Sequence, residues 1–402
     1  LAAVSAQPEP LLSARARARL AVTAYASFVL IGWSTLLVPA LIRSIEADFG
    51  RTDAEMGVLY FFSAASFGVG ALGGGFATER VGRRPLLAAA SLLLAAGIAV
   101  EGFTSTWAVF VLAAMAAGIG SGVVNGGMNA LVLDLAGRRS GGALNMLHLF
   151  FSIGAATSPL VVGQLVSAGI DWRLILLATA AVPVAIGAAF ALQPMPTGRH
   201  HPGVGPSDAA RPTELPPRRR SRIPLAILGL AIAFYVSAEI GTSSWLVRFL
   251  AAAPTDAATA TLSAFWAGLA ITRLLASRYA DRFQPVPLAA TCVSAGAMAL
   301  VAAVVSPWLA LAMVLFAITG LAFGPVYPLI MSIGGTLYPR RRAAVTGSLV
   351  TVAVVGSTIY PPVMGFISET VSLGLAMIGA AGLATACALA LLAAGRVTGR
   401  SS

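Results

Sequence analysis

Lysine is absent from this sequence, so all 26 basic residues are arginine. Charge of either sign is scarce: 10% of residues are charged against 58% hydrophobic, and the mean hydropathy is +0.87. So little charge cannot cover a soluble globule of 402 residues, and a membrane protein is the class left standing. Cysteine occurs twice, at Cys292 and Cys387, each alone in an apolar run. That excludes a disulfide framework and a cysteine-ligated zinc site. Histidine is equally rare; the pair His200-His201 lies in a polar tract without further ligands, and no metal centre is expected. No nucleophile with an adjacent base is found, so a membrane enzyme is not expected. The net charge of +11 does not signify nucleic-acid binding, because the arginines sit in short flanks between apolar runs. Their placement is topological.

What is present is a series of twelve runs, each able to cross a bilayer with roughly 20 apolar residues. They cover 20–42, 55–78, 85–103, 106–135, 142–167 and 172–193, then 223–249, 257–280, 285–305, 308–336, 343–367 and 372–395. Arg15, Arg17 and Arg19 precede a first run longer than a signal-peptide core, so it is read as a retained span. The termini and even-numbered loops hold 21 arginines, while the odd-numbered loops hold only Arg43, Arg51, Arg173 and Arg248. By the positive-inside rule both termini are cytoplasmic. Residues 194–222 carry seven prolines and the run Arg218-Arg219-Arg220, the composition of a flexible cytoplasmic linker. The expected organisation is a six-helix half at 1–193, the linker, and a second six-helix half at 223–402.

The halves are related by a shift of 202 residues. It carries Glu79 and Arg80 onto Asp281 and Arg282, and Gly118, Gly122, Gly154 and Gly163 onto Gly320, Gly324, Gly356 and Gly365. A single offset across four runs points to a duplicated half. Its strongest copy is the stretch Gly75-Phe76-Ala77-Thr78-Glu79-Arg80-Val81-Gly82-Arg83-Arg84 between the second and third spans. Gly75 is expected to let a neighbouring helix approach closely, and Glu79 to accept hydrogen bonds from the free N–H groups at a helix start. Gly75, Glu79, Arg80, Arg83, Asp281 and Arg282 are thus candidate members of a conformational latch; Arg83 and Arg84 can equally be headgroup anchors.

The decapeptide resembles the loop signature of the major facilitator superfamily, with Glu79 where Asp is usual and a weaker copy at Ser277, Asp281 and Arg282. The resemblance implies an all-α membrane protein with twelve transmembrane helices in two six-helix bundles. It also implies a substrate site between the bundles and rocking alternating access. Within the superfamily, the segments Gly118–Asn129, Asn145–Gly154 and Ala238–Trp245, with Phe265-Trp266, Arg273 and Gly324-Pro-Val-Tyr-Pro328, resemble the fucose permease-like branch. That branch implies proton-coupled sugar uptake, although Asn125 stands where a coupling carboxylate would align. A partial match of Gly154, Ser158-Pro159 and Gly163 to the fifth-span motif of drug:proton antiporters keeps efflux of an apolar compound as the alternative.

Polar residues inside the spans are costly and therefore informative. Asn125 and Asn129 share one helical face, and so do Asn145, His148 and Ser152. With Tyr25, Trp33, Trp245, Trp266, Tyr327 and Tyr360, they are candidates for holding a neutral polar solute; each can equally glue helices or fill space. His148 and Glu239 are the candidate proton carriers. Counting along the helices sets Glu239 and Arg273 roughly 13 Å apart in depth, so no direct ion pair is expected between them. The partners expected are a small-molecule substrate, protons and the lipid bilayer, with the chain acting as a monomer and without a cofactor.

Overall fold

The computed structural model describes residues 13–136, 140–195, 223–279, 282–338 and 341–399. Among the described residues thirteen α-helices follow one another: α1 Ala14–Phe49, α2 Asp53–Val81, α3 Arg83–Phe103, α4 Trp107–Ala136, α5 Ser140–Ser167, α6 Trp172–Leu192, α7 Ile223–Phe249, α8 Thr255–Tyr279, α9 Pro285–Val305, α10 Leu309–Phe323, α11 Val326–Leu337, α12 Arg342–Thr370 and α13 Leu373–Gly399. Among the described residues, twelve segments are long and apolar enough to cross a membrane, with α10 and α11 together forming the tenth. The chain is a multi-pass membrane protein. α1 begins and α13 ends on one side, called here the terminal face; the short loops after α1, α3, α5, α7, α9 and α12 mark the distal face. Most of the linker, with Arg138, Arg139 and Arg340, lies outside the described residues.

Local chemistry sets the turns. Thr52 and Glu55 form a reciprocal capping box that starts α2 at the distal face. Gly82 joins α2 to α3 at φ +87, a left-handed conformation that a side chain would strain. Pro85 then occupies the first turn of α3, where a missing N–H costs nothing. The tenth span breaks because Pro325 cannot donate to the carbonyl one turn behind it.

Packing repeats with the sequence. In the first half α1 packs on α5, α2 on α4, and α3 on α4 and α6; in the second, α7 packs on α12, α8 on α10, and α9 on α10 and α13. Three contacts join the halves: α5 with α8 and α2 with α12, which the duplication exchanges for one another, and a smaller one of α1 with α7, which it maps onto itself. The repeated glycines explain the closeness. A side chain at Gly154 would collide with the Val29 backbone of α1, and one at Gly356 with the Ala233 backbone of α7. Without a hydrophobic force between helices in lipid, such backbone contact is a main source of cohesion.

Candidate functional site: a buried ion pair at a broken span

Glu239 lies midway along α7, and the Arg273 guanidinium on α8 donates from Nη2 to its Oε1 at 2.8 Å. The expectation that these two do not meet is therefore wrong. Counting from helix ends treats side chains as horizontal, but every Cα–Cβ bond leans toward the N-terminus of its own helix. Because α7 and α8 run antiparallel, Glu239 leans toward the terminal face and Arg273 toward the distal face. Each closes on the other. The Glu239 side chain is 5% exposed and that of Arg273 27%, so the carboxylate is enclosed while the arginine side chain keeps part of its surface accessible.

The broken span supplies the rest of the setting. Pro328 has no N–H to offer the Gly324 carbonyl one turn earlier, and Arg273 Nε takes that place at 3.3 Å. The hydroxyl of Tyr235, one turn before Glu239 on α7, donates to the neighbouring Phe323 carbonyl at 2.9 Å. Tyr327, just past the break, lies within electrostatic reach of both Glu239 and Arg273. From the other half, His148 on α5 faces Arg273; its side chain is exposed although it lies well inside the span. An exposed imidazole at that depth lines a space that water can enter.

The other candidates divide. Tyr25 stacks on Phe150 with centroids 4.5 Å apart, and Phe28 meets His148 edge to face at 5.6 Å. Asn129 Nδ2 donates to Asn125 Oδ1 at 3.1 Å. Both asparagines are half-buried, on the side of α4 opposite Gly120 and Gly127, which pack against α3. Since α3 packs only within its own half, that side turns inward. Trp266 touches Phe151 of the other half with centroids 6.0 Å apart, and its indole Nε1 is buried without a partner.

Four others are committed elsewhere. Trp33 donates to Thr179 of α6 at 3.2 Å, Tyr360 to the Ala376 carbonyl of α13 at 2.8 Å, and Trp245, fully buried, to the Pro361 carbonyl at 3.0 Å. Ser152 is buried and donates to the His148 carbonyl of its own helix. The side chain of Asn145 lies outside the described residues.

Sequence reasoning did not foresee a cluster at the distal face. Arg248 Nε lies 2.9 Å from Glu46 and 3.0 Å from Asp53 of the first half. Arg43 donates to the carbonyls of Val247, Leu250 and Ala253 at the end of α7. Asp53 also accepts from Ser368, Glu369 accepts from the Ala54 N–H, and Tyr60 donates to the Ser244 carbonyl. These hydrogen bonds and ion pairs between the two halves all lie on this side. Its signal in the sequence was the lone Arg43 and Arg248 beside an acidic loop.

At the terminal face, Gly75 is corrected: a side chain there would meet open space. The close approach to α4 is made by Gly70 and Gly74, against Ile119 and Val123, one stripe round the helix. Arg83 is buried and pairs with Asp134 of α4 at 2.7 Å, and Arg84 donates to the Ala191 carbonyl. Glu79 and Arg80 are exposed, Arg282 lies over the Tyr279 ring at 5.2 Å, and Asp281 lies outside the described residues.

A twelve-span fold of two like-packed halves, with a buried charged pair beside a broken helix of the second half, defines a class of membrane carrier. The chain belongs to the Major Facilitator Superfamily, whose model matches residues 23–253 and 225–401. It is 24% identical to the gentisate transporter of Corynebacterium glutamicum over 90% of this chain and 86% of that protein. It is also 27% identical to the mouse sodium-dependent glucose transporter 1A, where the match covers 34% of this chain and only 32% of that protein. In fold it resembles a bacterial homologue of the human lysosomal transporter Spinster in an inward-facing, occupied conformation, at a TM-score of 0.76 and 15% identity over 96% of this chain and 98% of the other. The D-xylose-proton symporter gives a TM-score of 0.76 at 14% identity, over 93% and 96%.

Proposed function

We propose that the chain is a secondary active transporter that carries a small polar solute across the cell membrane by alternating access, in symport with protons bound at Glu239. The observation that carries this reading is the Glu239–Arg273 pair at the break in the tenth span, its carboxylate enclosed and its arginine side chain partly accessible. A carboxylate so placed meets water only through the space between the halves, so it exchanges its proton with whichever side that space opens to. His148, Asn125, Asn129, Tyr25, Trp266 and Tyr327 line the solute's place; Glu79, Arg80 and Asp281 act on the conformational equilibrium. Both termini and the linker are cytoplasmic in this reading, which the 21 arginines on that side support. The two halves, 1–193 and 223–402, then move as bodies within a monomer. The fucose permease-like segments and the named transport of glucose, xylose with protons, and gentisate by similar proteins favour small-solute uptake.

Reconstituted wild type and Glu239→Gln separate the two parts of this claim. The variant is expected to keep solute counterflow and lose uptake driven by a pH gradient. Unchanged pH-driven uptake removes Glu239 from the coupling mechanism.

A further inference from the structure

We infer that the transported solute is a small organic carboxylate that takes the place of Glu239 on Arg273 when Glu239 is protonated. This rests on the proton-coupled reading above and names the class of solute that the same site takes.

Charge conservation in a poorly solvated place is the reason. In the present structure Arg273 is neutralised by Glu239 at 2.8 Å. The remaining groups that face the pair do not replace that charge: Tyr235 of α7 and Tyr327 of α11 are phenols, and His148 of α5 can add only positive charge. The next described charges on neighbouring elements, Arg43, Glu46, Asp53 and Arg248, are engaged with one another or with carbonyls at the distal face. A proton on Glu239 alone therefore strands a guanidinium inside the membrane, which is strongly disfavoured. A neutral solute arriving with that proton does not remedy this. A carboxylate does, because the site then holds Arg273 with the solute's charge instead of Glu239's, and its net charge is zero before and after.

The exchange is an ordered one. A proton from the open side binds the Glu239 carboxylate at Oε1 and displaces the Nη2 hydrogen bond. That N–H then donates to an oxygen of the solute. The guanidinium presents parallel donors, which suit a carboxylate in two-point contact; the Arg273 side chain keeps part of its surface accessible, and His148 of the other half lies within electrostatic reach of it. Beyond it the Tyr25–Phe150 stack and the asparagine pair offer flat faces and amide groups to the body of the solute. Neither proton nor anion gains the site without the other, so the pair itself enforces coupling.

Thermal unfolding of the purified full chain tests this with matched probes: gentisate and gluconate as carboxylates, the primary amide of gentisate and D-glucose as their uncharged counterparts. A carboxylate is expected to raise the apparent Tm, its apparent affinity falling about tenfold per pH unit on the alkaline side, since each bound anion carries one proton. The uncharged counterparts are expected to have no effect. Glu239→Gln mimics the protonated state and should keep the stabilisation while losing its pH dependence. Arg273→Gln strands Glu239, so the double variant Glu239→Gln/Arg273→Gln, which removes both charges, is the second arm; it should fold and lose carboxylate binding. Stabilisation by the uncharged probes equal to that by the acids, stabilisation by neither acid, or acid binding retained in the double variant overturns the inference. Uncharged probes that bind, with pH-driven uptake still lost in Glu239→Gln, defeat the anion alone and leave proton coupling intact.

Discussion

Tyr235 shows how the site is held at the scale of single residues. Its ring is fully buried against Phe323 with centroids 5.7 Å apart, and its hydroxyl serves a carbonyl at a break where the helix has stopped serving itself. Tyr235→Phe keeps the shape and leaves that carbonyl without its donor, a loss of about 1–3 kcal/mol. The expected outcome is a folded protein with a measurably lower apparent Tm; an unchanged Tm means that the Phe323 carbonyl has another donor. Residue chemistry was only partly legible in the sequence. Glu239 and Arg273 stood out as charges inside spans, and His148 as the lone imidazole. Their meeting did not, because depth along a helix says nothing of the lean of a long side chain across an antiparallel neighbour. Trp245 and Tyr360 were misjudged for a related reason: an aromatic at mid-span looks the same whether it lines a site or donates to a carbonyl of its own half.

Elements carry the second kind of information. The twelve spans and the repeated glycines at a 202-residue offset were readable because periodicity and backbone contact are local properties. The distal cluster was not, since it joins α1, α2, α7 and α12 through loops far apart in sequence. Arg43 and Arg248 tie the end of α7 to the first half, and the proposed mechanism assigns that tie to holding this side closed. Just below it, Thr242 and Ser263 hydroxyls are buried without hydrogen-bond partners, an arrangement that water would relieve if the side opened. Asp53→Asn removes a charge from the tie while Arg248 keeps Glu46. With Cys292 and Cys387 replaced by serine and a cysteine at Thr242, that variant should react several-fold faster with a membrane-impermeant thiol reagent added at the distal side. Equal rates with and without Asp53→Asn would show that the cluster does not govern opening.

At the scale of the whole molecule the duplication becomes a working principle. Exchange of the two larger inter-half contacts, α5 with α8 and α2 with α12, while α1 with α7 maps onto itself, gives an axis about which the halves can rock. Here they are joined by bonds at the distal face, and the Glu239–Arg273 pair lies between that closed side and the terminal face. In the proposed mechanism, alternating access presents the same pair to each side in turn, and the pair decides what crosses. The measurement that reaches this claim most directly is proton uptake by purified protein in weak buffer, followed with a pH indicator as the binding solute is added. The account predicts about one proton taken up per solute bound by the wild type and none by Glu239→Gln at equal saturation; the same uptake in both proteins would contradict it.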